Sequence, residues 1–201
     1  MKRAKKNKID SLALLVDLYE LTMAECYFHY KQDTLTTFDL FVRALPPNRA
    51  YLVAAGLEDI LEYIINLRFN REDLKYLKSR KIFSESFLQY LPKFKFSGDI
   101  WAMPEGTIFF ANEPVIRVTA PIIEAQIVES FLLNTINLQT MIASKASRVV
   151  YAAKKKGVYD FSLRRTHGAF AGIKVARSSY IAGCIGTSNV LAGKLYNIPI
   201  A

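Results

Sequence analysis

Cysteine is nearly missing from this sequence of 201 residues: Cys26 and Cys184 stand far apart, and no Cys-x-x-Cys pair occurs. That excludes a disulfide framework and a thiolate metal clamp, and it fits a reducing, cytoplasmic setting. Histidine occurs twice, at His29 and His167, with no His-x-x-x-His or Glu-x-x-His spacing, so no built-in metal site is expected. The apolar runs fall short of the roughly 20 residues that a membrane helix needs, so no membrane partner is expected. The start, MKRAKKNKID, is basic, but no apolar run with a small-residue cleavage site follows, which argues against a secretory signal. Acidic residues are outnumbered, 18 Asp and Glu against 27 Lys and Arg, and the net charge is +9. The first ten residues hold about half of that excess. A basic terminus of this kind aids solubility or attracts phosphate backbones; the first reading is preferred, and a nucleic-acid partner is not expected. The remaining excess suits an anionic small molecule equally well. What is plentiful is apolar: 51% hydrophobic residues against 22% charged describe a globular chain with a core, long enough to divide in two.

The three- and four-residue spacing of Leu12, Leu15, Leu18, Tyr19, Thr22 and Met23 predicts an amphipathic helix from Asp10 to about Gln32, capped by Asp10 or Ser11. Residues 37–44 alternate, with Phe38, Leu40, Val42 and Ala44 on one face, and predict a strand with one buried face that Pro46-Pro47 stops. Residues 50–92 read as three helical pieces, the second opened by Asn70, the third by Ser84, with Pro92 as the stop. From Phe94 to Thr119 short β-rich runs, parted by Gly98, Pro104-Glu105-Gly106 and Asn112-Glu113-Pro114, suggest a small antiparallel sheet. Pro121 opens a helical stretch, broken once, that Gly157 ends. Val158–Leu163 then reads as a strand, about 169–183 and 188–196 as helices, and Ile198–Ala201 as the start of another strand. A β-then-α alternation predicts a parallel sheet or barrel, which two strands cannot complete. The sequence therefore reads as ending inside its second domain.

The densest polar cluster is Asp160-Phe161-Ser162-Leu163-Arg164-Arg165-Thr166-His167-Gly168, at the C-terminal end of the predicted strand, where barrel active sites collect. Arg164 and Arg165 are always-charged forks suited to carboxylate or phosphate; structural ion pairs with Asp or Glu are the plainer alternative. His167 lacks an identified carboxylate partner and reads as structural rather than as an acid or base. Gly183–Asn189 is a Gly- and hydroxyl-rich turn ahead of a helix that could face an anion, but it lacks a Walker ending and reads more simply as a cap. Lys174 and Arg177 share one helix face, with solvent exposure as their default. Tyr19 falls among apolar residues with Asp17 and Glu20 beside it, so it is either core or the face of a cleft.

Three separated segments resemble nicotinate phosphoribosyltransferase: Leu14–Met23 (LLVDLYELTM), Phe161–Gly168 (FSLRRTHG) and Gly186–Tyr196 (GTSNVLAGKLY), in the family's order. Pro104-Glu105-Gly106 and Glu113-Pro114 also match. The resemblance implies an α/β fold: an α+β N-terminal sandwich domain over 10–120 after a basic tail at 1–9, connecting helices over 121–156, and over 157–201 the first units of a type II phosphoribosyltransferase α/β barrel, left incomplete. It implies transfer of the phosphoribosyl group of phosphoribosyl pyrophosphate to nicotinate in NAD biosynthesis, coupled to ATP hydrolysis through a phosphorylated histidine and assisted by Mg2+, in a homodimer or with a complementing second chain. Tyr19 would pack against the nicotinate ring, Leu163 and Arg164 would line the same pocket, and Arg165, with Lys174, would hold anionic groups. In the family the strand after Ile198-Pro199-Ile200 leads into a Gly-Thr-x-Ala-His-Ser motif carrying that histidine. The sequence ends at Ala201 before it, so His167 is not that residue and no catalytic residue is assigned. The expectation is a family member inactive in isolation; the alternatives are a non-catalytic fragment, a subunit of a split enzyme, or a quinolinate or nicotinamide relative.

Overall fold

The computed structural model describes residues 11–30 and 33–201; the basic first residues and the candidate cap Asp10 lie outside the described residues. The elements run α1 (Leu18–Tyr30), β1 (Leu35–Phe41), β2 (Leu52–Val53), α2 (Leu57–Asn66), α3 (Arg71–Arg80), α4 (Glu85–Tyr90), β3 (Asp99–Ala102), β4 (Ile108–Phe109), β5 (Pro114–Pro121), α5 (Ile122–Ile127), α6 (Glu129–Ala152), β6 (Tyr159–Asp160), α7 (Ala169–Ile181), β7 (Gly186–Thr187) and α8 (Val190–Tyr196). This is a mixed α/β protein in two units, each assembled from three stretches. The first holds the described part of Met1–Thr37 with Leu61–Asp99 and Val118–Phe131; the second holds Phe38–Ile60, Ile100–Arg117 and Leu132–Ala201. Strands β1, β5 and β3 form one sheet in that order.

In the first unit the helix openings follow their caps. Asn70 accepts from the Asp73 amide while the Asp73 carboxylate accepts from the Asn70 amide, a reciprocal pair that starts α3, and Ser84 caps α4 through the Phe87 amide. Phe87, Leu91, Phe94, Leu67 and Ile127 fill this core. Phe94–Phe96 is not a strand: Phe94 follows a 3-10 turn at Leu91–Lys93 and is buried.

The first helix differs from its expectation in extent and in face. It starts at Leu18, because Ser11–Asp17 forms a turn in which the Ser11 hydroxyl accepts from the Ala13 amide and donates to the Arg68 carbonyl. Its buried residues are Glu20, Leu21 and Ala24, while Leu15, Leu18, Tyr19 and Met23 are exposed. The helix is apolar on nearly every side, so spacing offers more than one stripe. The small Ala24 lies on the buried one, and α1 packs on α5, whose Ile123, Ala125 and Ile127 are buried.

Strand β1 is also corrected. It has no buried face; Thr36 and Leu40 are half-covered and the rest is exposed. The covered strand is its neighbour β5, where Val115, Ile116, Val118 and Ala120 are buried. The pairs Thr37–Thr119 and Asp39–Arg117 step in opposite senses along the two strands, so β1 runs antiparallel to β5. Arg117 holds Asp39 through two bonds of 2.7 and 2.9 Å on the open surface. The β-rich stretch does not make one sheet: β4 leaves it to pair antiparallel with β2, Leu52 opposite Phe109 and Val53 opposite Ile108.

In the second unit α6 supplies the polar groups that the short β2 ribbon needs. Ser144 accepts from the Val53 amide at 2.8 Å and Thr140 from the Ala55 amide at 3.4 Å, which explains why these hydroxyls are buried. The helical stretch from Pro121 breaks once as expected, at Val128 between α5 and α6. The expected strand over 158–163 is only two residues long, because Ser162 turns into a 3-10 segment at Leu163–Arg165. β6 pairs parallel with β7, Tyr159 opposite Gly186 and Asp160 opposite Thr187, with α7 as the crossover, and Ile200 adds a parallel bridge to Thr187. The alternation from 158 thus gives the parallel sheet that it predicted. Gly186 is required by close packing, since a Cβ there would sit 2.6 Å from the Pro199 carbonyl oxygen.

Candidate functional site

In the second unit the turn after β6 is organised by Asp160. One carboxylate oxygen accepts from the Thr187 hydroxyl at 2.8 Å and the other from the Ser162 amide at 3.1 Å, while its carbonyl accepts from the Ser188 amide at 2.8 Å. The Thr187 hydroxyl in turn accepts from the Asn189 amide, and Asn189 both caps α8 and donates to the Gly172 carbonyl at 3.2 Å. Gly183–Asn189 is therefore the strand β7 followed by a cap. The ends of both strands, the start of α8 and the middle of α7 are fixed to one another by a buried side-chain network.

On that base stand Leu163, Arg164 and Arg165. The 3-10 turn is closed by the Arg165 amide on the Ser162 carbonyl at 2.8 Å and by the Thr166 hydroxyl on the same carbonyl at 3.0 Å. Gly172 makes room for Leu163: a Cβ there would lie 2.7 Å from a Leu163 methyl. Arg164 and Arg165 are exposed, and among the described residues neither has an ion-pair partner. The Ser162 hydroxyl beneath them is buried and lacks a partner among the described residues. His167 is exposed beside them. Two unneutralised guanidinium groups on a backbone held from below can receive a carboxylate or phosphate without first breaking a bond.

Lys174 and Arg177, by contrast, are not the solvent-facing residues that their helix face suggested. The Lys174 ammonium donates to Asp59 at 2.6 Å and to the Tyr196 hydroxyl at 2.8 Å. Burial alone would lower its pKa, but these two partners outweigh it and raise it. Arg177 donates to both oxygens of Glu105, at 2.9 and 2.7 Å, and also to Glu58. Glu105 further accepts from the Gly56 and Leu57 amides at 2.6 and 3.1 Å, at the start of α2. Its burial is overcome by these donors, which hold the carboxyl below the ordinary glutamate range. Pro104-Glu105-Gly106 is thus a clasp between α2 and α7. Asp59 and Glu58 are not marked in the sequence, and nothing local there pairs Glu105 with Arg177, since these acids meet their bases 115, 119 and 72 residues away in the chain.

In the first unit the Tyr19 hydroxyl lies 3.3 Å from a Glu20 carboxylate oxygen and 3.2 Å from one of Glu129, and its single proton is shared between them. Ser130 donates to the same Glu20 oxygen at 2.9 Å and lies 3.2 Å from Asp17; Gln126 donates to the other Glu129 oxygen at 2.9 Å. Glu20 is fully buried and its second oxygen has no partner among the described residues. Burial, reinforced by Glu129, pushes its carboxyl up to about 7. Burial of the Tyr19 hydroxyl and the two carboxylates raise the phenol well above its ordinary range. Yet the Tyr19 side chain as a whole is 48% exposed. Of the alternatives core or cleft face, Tyr19 is a surface ring tethered by its hydroxyl to acids. Glu129 was not singled out from sequence; it stands 110 residues from Tyr19.

Residues 14–137 match the family model described as the nicotinate phosphoribosyltransferase (NAPRTase) N-terminal domain. Nicotinate phosphoribosyltransferase pncB2 of Mycobacterium tuberculosis is 52% identical over 187 residues, 93% of this chain and 40% of the relative. The nicotinate phosphoribosyltransferase of Bacillus subtilis is 43% identical over 198 residues, 96% of this chain and 40% of the relative. Among solved structures, human nicotinic acid phosphoribosyltransferase superposes with a TM-score of 0.85 at 30% identity, covering 92% of this chain and 38% of that one. The nicotinate-nucleotide pyrophosphorylase of Pyrococcus furiosus gives 0.76 at 26% identity, covering 100% of this chain and 44% of that one. The chain spans 40% of the length of these curated relatives.

Proposed function

Because the chain belongs to the nicotinate phosphoribosyltransferase family, we propose that it serves the transfer of the phosphoribosyl group of phosphoribosyl pyrophosphate to nicotinate, giving nicotinate mononucleotide and pyrophosphate for NAD biosynthesis with ATP hydrolysis. Within its 201 residues the proposed work is binding and orientation. In the first unit Tyr19 offers a ring face to a nicotinate; in the second, Leu163 and Arg164 offer an apolar edge and a cation for a nicotinate ring and carboxylate, and Arg165 holds phosphate. The observation that carries this reading is the Arg164-Arg165 pair, exposed and without an ion-pair partner among the described residues, on a turn braced by Asp160. Lys174 is reassigned: with its ammonium on Asp59 and Tyr196, it positions α7 instead of taking up an anion.

Both substrates are anionic, which matches the basic balance of the chain. Mg2+ is held in such reactions by a few carboxylates together with substrate phosphates, and it shields their charge. Among the described residues no group of three or more Asp, Glu, His or Cys has the placement to hold a metal ion. For ATP, likewise, no residue of this chain is assigned. The partner is a second copy or a complementing chain, supported by the apolar side chains Leu15, Leu18 and Met23 exposed on and before α1. The two unpaired thiols support a cytoplasmic setting.

Ligand-observed NMR titration of the chain with nicotinate tests the reading. The wild-type chain is expected to bind, and Arg164→Ala to weaken binding by about tenfold or more, the worth of one charge-assisted bond. An Arg164→Ala variant that binds as the wild type does, or a chain that binds quinolinate and nicotinamide as tightly as nicotinate, overturns it.

A further inference from the structure

Resting on the reading that Tyr19 packs against the nicotinate ring, we propose that Glu20 and Glu129 make this tyrosine selective for positive charge, so that it holds the pyridinium ring formed in the transfer more tightly than the neutral pyridine ring of the substrate. In the transfer the lone pair of the ring nitrogen forms the bond to the ribose C1 carbon, and the C1–oxygen bond to pyrophosphate breaks with its electron pair leaving on pyrophosphate. The ring therefore gains a full positive charge between substrate and product. A face that favours the charged ring acts where charge develops, and this difference between the two states is what accelerates the step.

The geometry supplies such a face. A cation is drawn to the negative π-face of an aromatic ring. The Tyr19 hydroxyl donates toward two carboxylate oxygens at 3.2 and 3.3 Å, and hydrogen bonding to an anion moves electron density from the oxygen into the ring. The same carboxylates add a direct attraction to a cation lying over that ring. Asp17 stands behind the shared Ser130 hydroxyl, making three carboxylates in the cluster. Among the described residues no Lys, Arg or His forms an ion pair with any of them. The second oxygen of the buried Glu20 has no partner among the described residues, so nothing there offsets the charge that this carboxylate carries once it is ionised, as it is at pH 8.

The test compares nicotinate with N-methylnicotinate, whose ring is permanently a pyridinium; the added methyl group is common to every variant, so the change in preference between variants reads the ring charge. Both carry the carboxylate, so any contribution from a group that holds it cancels in the ratio of their affinities. NMR titrations of the full chain at pH 8 are run on wild type, Glu129→Gln, Tyr19→Phe and Tyr19→Ala, each checked for folding by circular dichroism. Glu129→Gln keeps the shape and an acceptor for the hydroxyl but removes the charge. It is expected to lower the preference for N-methylnicotinate over nicotinate by about two- to fivefold, the size of an exposed cation–π contribution, with Tyr19→Phe behaving alike and Glu129→Asp restoring part of it. An unchanged preference in Glu129→Gln and Tyr19→Phe, while Tyr19→Ala weakens both ligands, overturns the inference and leaves the ring contact standing. Affinities unmoved by Tyr19→Ala, or no binding of either ligand by wild type, overturn the ring contact itself.

Discussion

Glu105 is the residue on which the second unit is expected to depend most heavily. It receives four hydrogen bonds: the Gly56 and Leu57 amides at 2.6 and 3.1 Å, and two Arg177 nitrogens at 2.9 and 2.7 Å. Both side chains are largely covered, at 18% and 11% exposure. Glu105→Ala removes the acceptor for two amides at the start of α2 and leaves Arg177 with Glu58, which is itself exposed. Breaking a fully buried pair from one side costs about 3–5 kcal/mol, and the residual solvent access here argues for the lower end, about 3 kcal/mol. At a urea slope of about 2 kcal/mol per molar, the unfolding midpoint falls by about 1.5 M. Glu105→Gln, which keeps an acceptor but not the charge, is expected to lose less. The acid side supplies a second readout. The folded carboxyl lies below the ordinary value of 4.5, so its contribution is complete above 4.5 and is lost as pH falls through the lower folded value. The stability curve of Glu105→Gln is therefore expected to be flatter than wild type over that acid window. A midpoint shift in Glu105→Ala below about 0.5 M, or identical acid limbs, would refute the clasp.

Glu20 has the opposite linkage. Its folded carboxyl sits at about 7 against an ordinary 4.5, so the folded state binds a proton that the unfolded state has released, and stability falls as pH rises from 4.5 to 7. Glu20→Gln is expected to gain up to about 3 kcal/mol over wild type at pH 8 and little at pH 4.5, measured by thermal or urea unfolding; an equal change at both pH values sinks this reading. For Gly172→Ala two effects compete: the helix gains about 0.5–1 kcal/mol from losing a glycine, while the new Cβ meets a Leu163 methyl at 2.7 Å. Leu163 is half-exposed and can swing aside, so stability is expected to stay near wild type while nicotinate affinity falls; unchanged affinity in the titration would show that Leu163 does not line the site.

What the sequence made legible follows the range of the interactions involved. Asn70 and Ser84 opened helices as read, because a cap is satisfied within three residues of itself. The break at Val128 and the parallel pairing of β6 with β7 around α7 were likewise readable, as local punctuation and as a βα alternation. The buried face of the first helix is not legible in the sequence because LYELTMAECYFHY is apolar on several sides, and the choice of buried stripe is made by α5, about a hundred residues further on. The exposure of β1 is not legible either, because alternation shows that a strand has two faces without showing that anything covers either one, and this strand lies at the edge of its sheet.

The candidate site divides in the same way. Arg164 and Arg165 stood out because two adjacent permanent charges at a strand end are visible in one dimension, and they remain the exposed cations of the turn. Lys174 carries the same charge, but its ammonium is held by Asp59, 115 residues away, which the sequence does not bring near. Tyr19 shows the limit most clearly. Its ring was visible in sequence, whereas its chemistry is set by Glu129, and only the fold brings that carboxylate to within 3.2 Å of its hydroxyl. A cation seen in sequence is therefore a candidate for binding an anion only when the fold leaves it unpaired. An aromatic seen in sequence acquires its preference for charge from whatever acid the fold sets on its polar end. By this criterion the two arginines and the tyrosine qualify, and the lysine does not.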